Sequence, residues 1–325
     1  MLNHIEHTVL GTQIDQSLRS EAVQFSDSGK NIALVDSGGQ ILYFDVDTST
    51  QPIKVTLQAV YKSDVFKRPH AVGFLSDQVI VVANRLGLIE FFRIPDQNLQ
   101  LHNQSLDNIY TLDADWFGAP GHTKMCGDRP IATGPGALDY RNGLLYVGCN
   151  LENTISVHTC SLINDTVEVA DSYVISMNLV DIPDAVSVSA DGQWLAISDH
   201  QNRRVVILET VTGETIGTLQ TPELKHPHGI RFDNSGKQLV VSDAGGQKLH
   251  LFQTDVNWSS GSSIAYSILD GIDDDAFNKT LSVVPAAYQS LEGGIKGIGY
   301  DPISELYITT CRNQLLRFYS LSHSS

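Results

Sequence analysis

Six residues recur at one position of a repeated phrase, and they are the part of this sequence best suited to do chemistry: Glu21, His70, Gly136, Asp184, His228 and Lys296. Each opens the same frame, seen in His70-Ala71-Val72-Gly73-Phe74 and in His228-Gly229-Ile230-Arg231-Phe232. The second residue is always Ala or Gly, the third aliphatic, the fifth aromatic or Val. Packing alone favours Val, Ser or Thr at the first place. Two carboxylates and two imidazoles aimed into one narrow space repel or are costly to desolvate. A divalent cation held by Glu21, His70, Asp184 and His228 resolves that conflict. This donor mixture suits zinc, manganese, iron or copper better than calcium, which stays among the candidates. The alternative is a ring of hydrogen-bonded polar groups around channel water, with Lys296 paired to Glu21.

The elements that must position this ring are strands. Alternation with an obligatory small residue marks a strand entering a crowded place. Each repeat goes on to a turn, an apolar strand, a polar turn and a third strand. A weaker fourth strand follows, as in Ala185 to Ser189, Trp194 to Ser198, Arg204 to Glu209 and Glu214 to Gln220. Four short strands per unit of about 40–50 residues is the propeller signature. The opening positions are separated by 49, 66, 48, 44 and 68 residues. The two long intervals are too short for two units each. The expectation is one all-β domain over 1–325, a six-bladed β-propeller with four-stranded blades. The last repeat has three strands, so residues near Glu6 to Gly11 are expected to supply its outer strand, closing the ring beside Leu315 to Tyr319.

In such a blade the first residue of the phrase lies at the top of the inner strand, beside the central channel. The two extra lengths, Asp115 to Thr133 and Ile272 to Gly294, then become loops on that same face, after opposite blades. They read as two lids over one mouth. The first carries Trp116, His122 and Arg129, the second Tyr288. His122, Arg129 and Lys296 are candidate acids or anion clamps, and Trp116 and Tyr288 candidate substrate contacts, beside the catalytic candidates Asp184 and His228. The ends of the second strands form another ring: Asp36, Asn84, Asn150, Asp199, Asp243 and Cys311. Asp at this place usually caps its own turn. Asn150, Asp199 and Asp243 are kept as candidate substrate-binding residues. The run Asp273 to Asp275 reads as a cation site or as a solvated acidic stretch.

Composition narrows the function classes. A net charge of −16 over 325 residues argues against nucleic acid as a partner. No apolar run is long enough for a membrane span. The first ten residues lack the apolar core of a signal peptide. Four cysteines without CxxC spacing read as reduced thiols in a cytoplasmic protein. No P-loop, G-x-S-x-G or H-E-x-x-H motif is present.

Glu21 with Phe25, followed by Ala33-Leu34-Val35-Asp36, resembles the opening blade of the gluconolactonase/regucalcin-like six-bladed lactonases. Pro183-Asp184-Ala185 and Pro227-His228-Gly229 are similar to that family's two proline-led phrases, with Asp184 where it has Asn and His228 where it has Asp. The resemblance implies metal ligands at Glu21, Asp184 and His228 and a general base at His228. The proline–histidine openings also resemble zinc-dependent amidating-lyase propellers and the NHL-type repeat. The expected function is a metal-dependent, lactonase-like hydrolase acting on a small polar molecule at the channel mouth. The alternatives are a non-catalytic propeller scaffold for a peptide or protein partner, and a metal-dependent lyase or isomerase.

Overall fold

Short apolar strands separated by glycine- and aspartate-rich turns build most of the described molecule. A computed structural model describes residues 2–10, 18–95, 104–112, 134–259, 261–285, 292–312, 314 and 316–321. Among them are six sheets, each built on an antiparallel meander, and the sheet of blade 1 also carries His7–Leu10 and Gln104–Ser105 parallel to its outer strand. Blade 1 is Ser20–Phe25, Asn31–Asp36, Gln40–Asp47 and Ile53–Lys62. Blade 2 is Pro69–Ser76, Val79–Asn84, Ile89–Arg93 and Asp107–Leu112. Blade 3 is Pro135–Arg141, Leu144–Cys149, Thr154–Ile163 and Thr166–Met177. Blade 4 is Pro183–Val188, Trp194–Asp199, Arg204–Glu209 and Thr215–Leu219. Blade 5 is Pro227–Phe232, Gln238–Asp243, Lys248–Thr254 and Ile264–Asp270. Blade 6 is Ile295–Asp301, Leu306–Cys311 and Arg317–Leu321, with Leu2–Ile5 as its outer strand. The first strand of each blade touches the first strands of its two neighbours, and blade 6 touches blade 1, so the ring is closed.

Apolar side chains on both faces of each blade meet those of the next. Six buried clusters result, one at each blade–blade seam. Toward the axis the spacing tightens, which explains the small second residue of the phrase. A Cβ on Gly229 would stand 2.4 Å from the Lys296 carbonyl oxygen, and one on Gly297 would stand 3.0 Å from the Ala22 Cα. Three cysteines, Cys149, Cys160 and Cys311, are buried free thiols.

The N-terminus closes the ring, but with different residues from those expected. Leu2–Ile5 pairs antiparallel with Arg317–Leu321, Leu2 opposite Leu321 and Ile5 opposite Phe318. His7–Leu10 moves on to the edge of blade 1 and runs parallel to Ile53–Thr56. The apolar pattern accounts for this: Ile5 and Val9 both pack against the seam between blades 6 and 1. Of the two insertions, the first falls outside the described residues. The second contains a helix, Asp274–Ser282, whose N-cap is Asp273, accepting from the Ala276 amide. Asp273 to Asp275 thus serve a helix start, where carboxylates are favoured by the exposed amides. Among the described residues no helix is long and apolar enough to cross a membrane.

The crowding at the axis has a measurable consequence. Gly229→Ala should lower the urea midpoint by the equivalent of about 1–3 kcal/mol, the usual cost of overpacking. Gly261→Ala, where nothing lies within 4 Å of the added carbon, should change stability by less than about 0.5 kcal/mol.

Candidate functional site

Alternation alone does not aim the ring residues inward; a defect repeated in every blade does. Each inner strand slips register across the first residue of the phrase. The slips fall between Ser20 and Ala22, Pro69 and Ala71, and Pro135 and Ala137. They recur between Pro183 and Val186, Pro227 and Ile230, and Ile295 and Gly297. A β-bulge leaves one residue out of the ladder and turns its side chain. Three bulges are preceded by left-handed backbone, at Arg68 (φ 58°), Gly134 (φ 68°) and Ile182 (φ 59°). For Ile182, a β-branched residue, that conformation is strained.

The bulges bring Glu21, His70, Asp184, His228 and Lys296 together, all buried. Lys296 Nζ donates to Glu21 Oε2 at 2.6 Å. Arg19 Nε lies 3.0 Å from Glu21 Oε1. Arg85 spans two blades, with Nη2 donating to Asp184 Oδ1 at 2.8 Å and Nη1 3.3 Å from His70 Nε2. Gly136 contributes no side chain, and Asn150 fills its place: a Cβ on Gly136 would meet Asn150 Oδ1 at 2.3 Å. Asn150 Nδ2 donates to Asp184 Oδ1 at 2.6 Å. On its other oxygen Asp184 faces His200 Nδ1 at 3.0 Å and His228 Nε2 at 3.9 Å. His228 Nε2 is also 3.7 Å from Glu21 Oε2. A cavity of about 30 Å³ lies between Glu21, His70, Asp184 and His228, with Arg231 beneath.

Burial raises the Glu21 carboxyl pKa, but Lys296 and then the other cations around it prevail, holding the carboxyl well below the usual range. Burial opposes ionisation of Asp184, but its partners His228, His200 and Arg85 hold its carboxyl well below the usual range, and with His228 neutral the standing charge is that of Arg85. Burial is the main cause that pushes His70 down to about 4, with Arg85 adding to it. Burial also drives His228 well below its ordinary value. At neutral pH the ring therefore holds ionised carboxylates beside neutral imidazoles.

The other expected residues divide. Asp199 accepts from the Asp181 amide, Asn202 and Arg204, and Asp243 from the amides of Lys225, His226 and Gly245, so both oxygens of each serve their own turns. Trp116, His122, Arg129 and Tyr288 lie outside the described residues. Arg19 and Arg85 were not singled out by the pattern, and Glu292 falls within the second insertion, Ile272 to Gly294. Arg85 directly follows Asn84 in a strand-end turn, and Arg19 stands two before Glu21. Their proximity to known positions of the repeat was the only signal. Glu292, on the connection that carries the helix, is gripped by Arg19 Nη2 at 2.8 and 2.9 Å. His226 lies outside the ring, its imidazole 4.9 Å from that of His200 and tilted by 31°.

The donor atoms of Glu21, His70 and His228 lie within 4.8 Å of one another. His70 Nδ1 donates to the Gly136 carbonyl at 2.6 Å, which leaves the lone pair of Nε2 facing inward, as carbonyl bonds to metal-binding histidines do. This set fits one small divalent ion, provided that Lys296 and Arg85 give up the contacts they make with the same atoms. The carboxylates are already balanced without it, since Arg19, Arg85 and Lys296 face Glu21, Asp184 and Glu292.

A family model described as "Lactonase, 7-bladed beta-propeller" matches residues 5–262. The chain belongs to this lactonase propeller family. Its described residues nevertheless form six blades, one fewer than the family's description states. Over 108 residues this lactonase-family propeller is also 29% identical to the non-catalytic subunit of a tRNA (guanine-N(7)-)-methyltransferase from Candida glabrata. That stretch is 33% of this chain and 23% of the other protein, so the likeness covers under a quarter of that relative.

Two measurements test the electrostatics. Lys296→Met leaves Glu21 buried beside one fewer cation and should cost about 3–5 kcal/mol in denaturant unfolding. Adding Glu21→Gln should recover most of that loss, and a double variant no better than the single one would refute the pairing. The second concerns acid. His70, and His158 at about 3 through burial between Ser156 and Ser172, have folded pKa values below the unfolded 6.5. The unfolded chain therefore takes up more protons as pH falls. Stability should be full above pH 6.5 and decline toward pH 4, by about 2 kcal/mol per such histidine at pH 5. His158→Gln should show a shallower decline in melting temperature over this window.

Proposed function

We propose that this propeller hydrolyses a lactone or a related small ester at the top mouth of its channel. The observation that carries the reading is a lactonase-family propeller with neutral imidazoles beside ionised carboxylates around a cavity of about 30 Å³. A space of that size accommodates a water. His228 is the imidazole best placed to take a proton from it, because its Nε2 faces Glu21 and Asp184 without bonding to either. The two carboxylates would stabilise the imidazolium that forms, the role of the buried aspartate in a serine triad. Lys296 and Arg85 supply positive charge toward the oxyanion of the opening ring. Asn150 and His200 hold Asp184 in place from two sides. The gluconolactonase/regucalcin-like resemblance supports sugar lactones as the substrate class.

The convergence of Glu21, His70 and His228 favours a metal-assisted hydrolysis of the same substrate, in which His228 would hold the ion instead of acting as base. A divalent ion bound there would polarise the substrate carbonyl as a Lewis acid. A separate reading, a non-catalytic propeller that binds a partner on its top face, is favoured by the likeness to a methyltransferase's non-catalytic subunit.

Acid release from glucono-δ-lactone and γ-butyrolactone, followed by pH-stat, tests the proposal. Wild type should open at least one of them, and His228→Ala should be slower by about 10²–10⁴-fold, the span of a general base. Chelator-treated protein reloaded with zinc or manganese decides the role of metal: activity that disappears and returns supports the metal-assisted form. Equal rates in wild type and His228→Ala would remove His228 as the base, and no acid release above the spontaneous rate by wild type would remove the enzyme reading and favour the partner-binding one.

A further inference from the structure

One acidic side chain at the mouth has no part in the reaction proposed above. Glu292 lies three residues before the inner strand of blade 6. Arg19 Nη2 donates to both of its carboxylate oxygens, at 2.8 and 2.9 Å, and Lys296 Nζ stands 3.7 Å away. Its side chain is 25% exposed, whereas that of Glu21, on the other side of Lys296, is 1% exposed. The inner carboxylate is thus locked in the protein and the outer one faces solvent. A half-buried ion pair open to solvent at the mouth contributes modest stability, because water and salt still compete for it.

Arg19 does not depend on Glu292 for its position. Its amide donates to Asp36 Oδ1 at 2.9 Å, its carbonyl accepts from the Ser37 amide at 3.0 Å, and its Nε lies against Glu21. With Glu292 turned away, Arg19, Arg85 and Lys296 would face only Glu21 and Asp184. One positive charge would remain at the mouth, held in a fixed geometry that suits a single carboxylate.

We infer that Glu292 occupies a carboxylate subsite formed by Arg19 and Lys296, and that the molecule accepted at this mouth carries a carboxylate of its own that displaces Glu292. The inference deepens the proposed function by naming the substrate class, a lactone or ester bearing a free carboxylate. The binding step itself requires no turnover.

The test is an NMR titration of the full chain with sodium acetate, at constant ionic strength maintained with chloride. Glu292→Gln, which keeps the side chain's shape, should bind acetate about fivefold more tightly than wild type, since such a pair competes by about that factor. Arg19→Met should abolish acetate binding in both backgrounds. Equal acetate affinity in wild type and Glu292→Gln, or binding that survives Arg19→Met, overturns the subsite. Inorganic phosphate binding more tightly than acetate to Glu292→Gln overturns its assignment to a carboxylate. A protein that binds acetate in this way yet opens no lactone would discard the reaction and retain the subsite.

Discussion

Six strands cannot share one axis unless each yields space, and this constraint shapes everything near the channel. A Cβ on Gly229 or Gly297 would collide with the neighbouring blade. The small second residue of the phrase follows from that, and so does the bulge beside it, which relieves pairing where the strands converge. The residue expelled from the ladder is the one that points at the axis. The geometry that lets the ring close is therefore the same geometry that gathers Glu21, His70, Asp184, His228 and Lys296.

Gathering them creates an electrostatic problem, which the structure solves with Lys296 and with cations drawn from outside the phrase. Arg19 arrives from the approach to blade 1 and Arg85 from a turn of blade 2, and between them they contact Glu21, His70 and Asp184. Burial keeps His70 and His228 neutral, so Asp184 relies on Arg85, and Glu21 on Lys296 and Arg19. Charge here is settled between blades more than within them, which ties the chemistry of the site to the assembly of the ring. A site made of six separate contributions can also change one partner, as Gly136 and Asn150 illustrate, without moving the scaffold.

Much of this could be read from the residues beforehand. A six-fold repeat, its strand count and the convergence of its first positions all follow from alternation and spacing, because those properties repeat. What does not repeat was harder to see. Arg85 and Glu292 occupy places with no counterpart in the other blades, so no periodicity points to them. The bulge was hidden because it inserts no visible residue into the pattern. The closing strand was expected at Glu6 to Gly11 and is Leu2–Ile5; two short apolar–polar alternations lie side by side there, and only the packing of Ile5 and Val9 against the seam separates their roles. Asp199 and Asp243 illustrate the opposite case, where a polar residue at a suggestive address bonds to its own turn.

The N-terminal segment has an implication for how the molecule is made. Leu2–Ile5 is synthesised before every blade, yet its partner is Arg317–Leu321. Throughout translation this strand has no ladder to join, and the ring remains an open arc with unpaired edges at both ends. His7–Leu10, however, docks on blade 1, whose strands emerge soon afterwards. That early parallel pairing tethers the waiting strand beside the place where blade 6 will arrive. It converts closure from a search across the whole chain into a short local one, limiting the time that an adhesive edge spends exposed in a crowded cell.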